Sequence, residues 1–132
     1  VGTTAHPRDR PGVALRERDT LIMRTAVIIN NDQMGAGDRA LGQKILGTFL
    51  RKALAIEGLH VIVLYNAGVR LAVAGSPFLA ELWQLHERGV EILPCGTCLD
   101  TFGLKDQVAI SKASNMDEIV AELSKAEKVI TL

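Results

Sequence analysis

Three short runs of aliphatic, mostly β-branched residues limit what this chain can become. Thr25-Ala26-Val27-Ile28-Ile29-Asn30, His60-Val61-Ile62-Val63-Leu64-Tyr65 and Val90-Glu91-Ile92-Leu93 are each too short for a stable helix. The first two carry no polar alternation, so they predict strands buried on both faces, the pattern of a parallel sheet covered by helices. Between them, Asp38 is a plausible cap for a helix burying Leu41, Ile45, Phe49 and Leu54, with Gly58 as its stop. Between the second and third, Ser76-Pro77 opens a helix carrying Leu79, Leu82, Trp83 and His86, closed by Gly89. Gln107-Val108-Ala109-Ile110 adds a short strand. Asn115, with Glu118 three residues on, caps a last helix through Leu123, and Lys128-Val129-Ile130-Thr131-Leu132 forms a terminal strand. The expected fold is a three-layer α/β/α sandwich with a mostly parallel five-stranded sheet and right-handed crossovers. Function in such folds sits beyond the carboxyl ends of the strands, so the loops at 30–38, 66–70 and 94–98 are expected to meet at one rim.

With 132 residues the chain has room for one core of ordinary size, assigned to residues 25–132. Residues 1–24 hold Gly2, Pro7, Pro11 and Gly12 without a sustained apolar period, and are expected to form a flexible leader or linker. Met23 stands where the folded unit could begin. A net charge of +0 and an aromatic content of 4% leave neither a basic footprint nor base-stacking rings, so nucleic acid is not an expected partner. No uncharged apolar run nears the ~18 residues of a membrane span, and Val13-Ala14-Leu15 is too short for a signal-peptide core. No membrane partner is expected, and the expected compartment is the cytoplasm.

The two cysteines, Cys95 and Cys98, lie at the end of the third predicted strand. In a reduced compartment such a pair is more often metal-binding or reactive than structural. Thr97 and Asp100 have capping-box spacing, which predicts a helix from Thr97 with Cys98 in its first turn. Unpaired N–H groups and the helix dipole there favour a thiolate, the nucleophilic form, while the Asp100 carboxylate opposes it. Gly96 lets the backbone turn sharply between the two thiols. Four readings fit this loop: persulfide carriage, dithiol–disulfide exchange, zinc completed by His6, His60 and His86, and small buried residues without chemistry. No proline follows Cys98, which counts against a thioredoxin arrangement. Gly35-x-Gly37 lacks the third glycine of a dinucleotide loop, so a tight turn is its favoured role. Asn66 and Gly68 either present amides to an anion at the rim or form an Asn-stabilised turn. Arg70 is the cation expected nearest the cysteine loop, with a solvated surface charge as its plainer role. Met34 and Met116 fit a pocket lining or core filling, and Trp83 is expected to bury its ring on the sheet or at a subunit contact.

Ile92-Leu93-Pro94-Cys95-Gly96-Thr97-Cys98-Leu99-Asp100, followed by Phe102-Gly103-Leu104-Lys105, resembles the signature of the DsrE-like domain in YedF-type proteins. These are named as sulfurtransferase-like proteins of selenium metabolism. Three further segments match that family in order: Asp32-Gln33-Met34-Gly35-Ala36-Gly37-Asp38, Tyr65-Asn66-Ala67-Gly68-Val69-Arg70-Leu71, and Ser114-Asn115-Met116-Asp117-Glu118-Ile119-Val120. The resemblance covers roughly residues 25–132. It implies a DsrE/TusD-like sandwich, assembled as a homo-oligomeric trimer or hexamer, that carries sulfur or selenium as a cysteine persulfide. By the same resemblance Cys95 is the persulfide acceptor and Cys98 a second thiol peculiar to the subgroup. Met34, Gly35, Asn66, Gly68, Gly96 and Thr97 are the expected substrate-binding residues. No metal and no organic cofactor is expected. The implied partners are a protein sulfur donor and acceptor, among them a TusA-like carrier. Typical YedF-type proteins bear a TusA-like domain with its own Cys-Pro-x-Pro motif; no cysteine precedes Cys95 here, so that carrier would be a separate polypeptide. Two other functions stay open: a non-catalytic small-molecule or protein-binding module of the same fold, and a dithiol redox protein.

Overall fold

The computed structural model describes residues 23–132. The expected leader lies outside the described residues except for Met23 and Arg24, and so does His6. β1 (Thr25–Ile29) is buried along its whole length, as its β-branched run requires. α1 (Arg39–Lys52) leads to β2 (Leu59–Leu64), and Gly58, at φ 70°, makes the turn just before that strand. A 3₁₀ helix (Asn66–Ala72) and α2 (Leu79–Glu87) lead on to β3 (Glu91–Pro94). α3 (Gly96–Thr101), a 3₁₀ turn (Lys105–Gln107) and α4 (Met116–Lys125) return the chain to β4 (Lys128–Thr131).

The sheet is wholly parallel, in the order β3-β2-β1-β4. Val27 pairs with Ile62 on one side and Ile130 on the other, and Leu64 with Pro94. Proline cannot donate to a ladder, and its place at the end of the edge strand β3 removes that conflict. The chain steps outward from β1 to β3, then crosses back over the whole sheet to β4. Right-handed crossovers therefore place α1 and α2 on one face and α4 on the other, and α1 and α2 do touch. Ile29, Ile62, Leu64 and Ile92 from the strands and Leu46, Leu50, Leu82, Leu85 and Ile119 from the helices are fully or almost fully buried. Each such side chain contributes about 1.5–3 kcal/mol by leaving water.

The sheet has four strands, not the five expected. Gln107–Ile110 forms only a single antiparallel bridge, Val73 with Val108, flanked by Ala74 N–H to Gln107 C=O and Ala109 N–H to Ala72 C=O. That segment ties down the end of the 66–72 helix and never reaches the sheet edge. The buried side of α1 also departs from expectation. Gly42, Leu46, Gly47 and Leu50 face inward, while Leu41, Ile45 and Leu54 are exposed and Phe49 is half-buried. A Cβ on Gly47 would stand 2.7 Å from the Phe78 ring, and one on Gly42 would stand 2.9 Å from Gln33 Cβ. Small residues seat the helix against its neighbours there, so its apolar period marks the outer face instead. Trp83 is likewise exposed on α2, its edge against His86. Two caps are as expected: Asp38 accepts from Leu41 N–H and Asn115 from Glu118 N–H, each at 2.8 Å. Ser76 does not cap a helix directly; its Oγ accepts from Phe78 N–H and α2 starts at Leu79.

Candidate functional site

The three loops expected at one rim do meet there. Tyr65 N–H donates to the Ile29 carbonyl, and a Cβ on Gly68 would sit on that same oxygen, so only glycine lets the 3₁₀ helix lie against the end of β1. Cys95 N–H donates to the Leu64 carbonyl at 2.9 Å, which joins the cysteine loop to the end of β2. The connections leaving β2 and β3 run in opposite directions across the sheet, the arrangement that opens a crevice at strand carboxyl ends.

Cys95 stands between two backbones. Leu64 is on one side, and on the other Ser114 donates to the Pro94 carbonyl and accepts from Gly96 N–H. Only 2% of Cys95 is exposed as a result. That same Gly96–Ser114 bond fixes where α3 begins, one residue earlier than the Thr97 capping box predicts, with Cys95 as its N-cap and no side chain capping it. Asp100 instead binds Lys105 Nζ at 3.2 Å, and Thr97 is exposed with its carbonyl accepting from Thr101.

Cys98 is half-buried, and its Sγ accepts the backbone N–H of Asn66 at 3.1 Å. Asn66 holds φ at 50°, a left-handed conformation that asparagine tolerates better than most residues, and this turn sits where the chain leaves β2. Burial pushes the Cys98 thiol above its ordinary value; the Asn66 N–H counteracts this and the adjacent Cys95 sulfur adds to it. Both cysteines are free thiols.

Of the other residues expected to bind substrate, Asn66 alone reaches a cysteine sulfur. Gly68 and Gly96 use their N–H groups on Tyr65 and Ser114 and serve close backbone approach. Met34 is half-buried, its N–H bound to Gly42; Gly35 is exposed at φ 81°, its carbonyl taking the Gln33 amide. Their hydrogen bonds run within the 30–38 loop and to α1, not to the cysteines.

Beside the cysteine loop the rim holds a cavity of about 340 Å³, lined by Asp32, Arg39, Gln43, Arg70, Ser76 and Phe102 among others. Arg39 grips the Asp32 carboxylate with two N–H donors, at 3.0 and 2.8 Å, and donates to Gln33 Oε1. That pairing holds the Asp32 carboxyl below its ordinary value against the opposing effect of burial, and the charge of Arg70 adds to the lowering. The Arg70 guanidinium lies over the Phe102 ring, 4.6 Å from its centroid. Sequence reasoning missed Asp32, Arg39 and Phe102 as a set. A carboxylate and a guanidinium bracketing the Gly35-x-Gly37 turn was the available signal.

The described histidines stand at the opposite end of the sheet from the cysteines, so zinc completed by His60 and His86 is not formed there. His86 Nδ1 faces the Val90 carbonyl at 3.3 Å. His60, Glu91 and Glu122 place ligand atoms within 4.8 Å of one another, but Arg24 Nη2 lies 2.7 Å from His60 Nε2 and 3.9 Å from Glu122 Oε1. A guanidinium already takes the place a cation would hold.

A four-stranded parallel sheet between helical layers is the α/β sandwich on which this cysteine loop stands. The chain belongs to the DsrE/DsrF-like family, whose model matches residues 24–132. Solved proteins share the fold. One of unknown function from Methanobacterium thermoautotrophicum is 21% identical, with a TM-score of 0.63 over 83% of this chain and 99% of that one. The ychN protein of E. coli is 19% identical, with a TM-score of 0.61 over 83% and 100%. A conserved protein of unknown function from Bacteroides thetaiotaomicron is 17% identical, with a TM-score of 0.56 over 82% and 94%. No functionally curated protein matches the chain by sequence.

Proposed function

We propose that this protein is a YedF-like sulfur carrier that holds transferable sulfur, or selenium in its place, as a persulfide on the Cys95–Cys98 loop. The observation that carries the reading is Cys98 itself: a half-buried sulfur at the strand's carboxyl end, held by a backbone N–H and backed by a second free thiol. In the transfer, the Cys98 thiolate attacks the outer sulfur of a donor persulfide. A new S–S bond forms and the donor's S–S bond breaks. The donor leaves as a thiolate that takes up the proton given up by Cys98, and no electrons are gained or lost overall. Delivery repeats the step with an acceptor thiolate as attacker. The resemblance assigns the acceptor role to Cys95; at 2% exposure that sulfur meets no donor directly, so the proposal gives the first encounter to Cys98 and makes Cys95 a second station. Donor and acceptor are proposed to be separate proteins. No metal or organic cofactor enters the step.

Dithiol exchange is the second reading, favoured by two free cysteines three positions apart on one loop. Intact-mass spectrometry after incubation with a cysteine desulfurase and cysteine separates the two. The expected result is one added sulfur on the parent, removed by reductant and lost in Cys98→Ser. Loss of two hydrogens without added sulfur would establish the dithiol reading instead. A parent that gains nothing, with both thiols still open to alkylation, would overturn the persulfide reading.

A further inference from the structure

The cavity beside the cysteine loop has a charge balance and a position that the persulfide reading does not use. Three charged side chains line it: Asp32, Arg39 and Arg70. Asp32 and Arg39 neutralise each other through their two-point ion pair. Arg70 has no carboxylate within ion-pair distance and no side-chain hydrogen bond among the described residues. Its guanidinium carbon lies 4.6 Å from the centroid of the Phe102 ring, a cation–π contact that uses none of its N–H donors. The cavity thus carries one uncompensated cation, and a guanidinium is the group that suits a carboxylate. The remaining lining is divided between apolar Val73, Pro77, Phe102 and Leu104 and polar Gln43 and Ser76. A volume of about 340 Å³ falls at the small end of ligand pockets, enough for a metabolite and too little for a folded partner.

Two elements set the distance from this cation to the reactive sulfur. α3 carries Cys98 and ends against Phe102, its C-cap; the 3₁₀ helix carries Asn66 and, four residues on, Arg70. The elements pack along each other, with Asn66 at Cys98 and Arg70 at Phe102. Four residues rise about 6 Å in an α-helix and about 8 Å in a 3₁₀ helix. The Arg70–Phe102 contact therefore stands about 6–8 Å of backbone rise along from the Asn66–Cys98 contact.

We propose that this cavity is a binding site for a small organic anion, a carboxylate-bearing thiol in its persulfide form, which Arg70 anchors so that its sulfane sulfur reaches Cys98. This inference rests on the persulfide reading and names its substrate class. The reaction is the transfer already given: the small molecule's S–S bond breaks, its thiolate leaves, and Cys98 keeps the outer sulfur. Glutathione, a tripeptide thiol with two carboxylates, represents that class.

Reduced glutathione is the probe for binding and glutathione persulfide the probe for transfer, each with the full chain. Calorimetric titration is expected to show glutathione binding that weakens at least about tenfold in Arg70→Gln, the loss of one charge-assisted anchor. Glutathione diethyl ester, which carries no carboxylate, should bind as poorly as glutathione does to that variant. Arg88→Gln, the same charge change at the other end of the sheet, controls for net charge and should leave binding as in the parent. Arg70→Lys keeps the charge without the planar fork and should fall between parent and Arg70→Gln. No glutathione binding to the folded parent, or binding unchanged in Arg70→Gln, overturns the inference even if a desulfurase still loads sulfur. Binding that depends on Arg70 while neither persulfide nor desulfurase loads Cys98 upholds the site and overturns the persulfide reading alone.

Discussion

Cys98 has a local environment that pulls in two directions. Its place at the start of α3 and the Asn66 N–H favour a thiolate, whereas partial burial and the neighbouring Cys95 disfavour one; the balance lies toward the neutral thiol. The thiolate-favouring turn was legible in the sequence, because a cysteine placed just after a predicted strand and before a predicted helix announces it. The opposing burial was not, because it comes from elements that only packing brings against α3. A measurable pH dependence follows. Alkylation of Cys98 by iodoacetamide should stay slow at neutral pH and rise with an inflection above the ordinary thiol value of about 8.5. In Cys95→Ser the same inflection should move down, since one of the effects that raises it is gone. Peptide mapping of the alkylated site against pH checks both. A parent inflection well below 8 would show that the N–H and the helix start outweigh burial.

α1 shows how an element can be placed correctly and turned wrongly. Its N-cap is legible from Asp38, and its length follows from the distance between two strands that must pair in parallel. Its rotation is not, because the inward face uses Gly42 and Gly47 to approach Gln33 and Phe78 while Leu41 and Ile45 look outward. Hydrophobic period measures where apolar residues lie, and close helix seating needs small ones. The consequence is a contrast between two leucines of one helix. Leu46→Ala, at a fully buried site, should cost about 2–5 kcal/mol, and Leu41→Ala, at an exposed one, should stay within about 0.5 kcal/mol. Urea unfolding at neutral pH, with equal slopes in both variants, reads the difference. Equal losses would mean that α1 is rotated from the position described.

Apolar side chains remain uncovered on both outer layers of the sandwich: Leu41, Ile45 and Trp83 on α1 and α2, and Met116 and Val120 on α4. The homo-oligomer implied by the family resemblance would cover such a face, since clustered exposed aliphatic residues mark association surfaces. Analytical ultracentrifugation is expected to give a species heavier than the 14.2 kDa chain. Ile45→Glu places a charge on one layer and Val120→Glu on the other, and one of the two should dissociate it and so identify the covered face. A monomer in the parent at micromolar concentration would remove the oligomer from the description. No helix of the described residues is long and apolar enough to cross a membrane.

The sequence by itself determined the parallel α/β plan, because buried strands leave an unmistakable run of β-branched residues and their crossovers require helices of a certain length. It also marked the cysteine loop, a local feature with a local physical cause, whereas the need for glycine at 68 comes from the Ile29 carbonyl packed against it. Tertiary structure alone decided the rest. The 107–110 segment is drawn to the end of the 66–72 helix instead of the sheet because its backbone partners, Ala72 and Ala74, lie there. Arg39 and Arg70 acquire different roles, one neutralised by Asp32 and the other set over the Phe102 ring. Local patterns encode backbone form; which charge meets which partner depends on elements that only packing brings together.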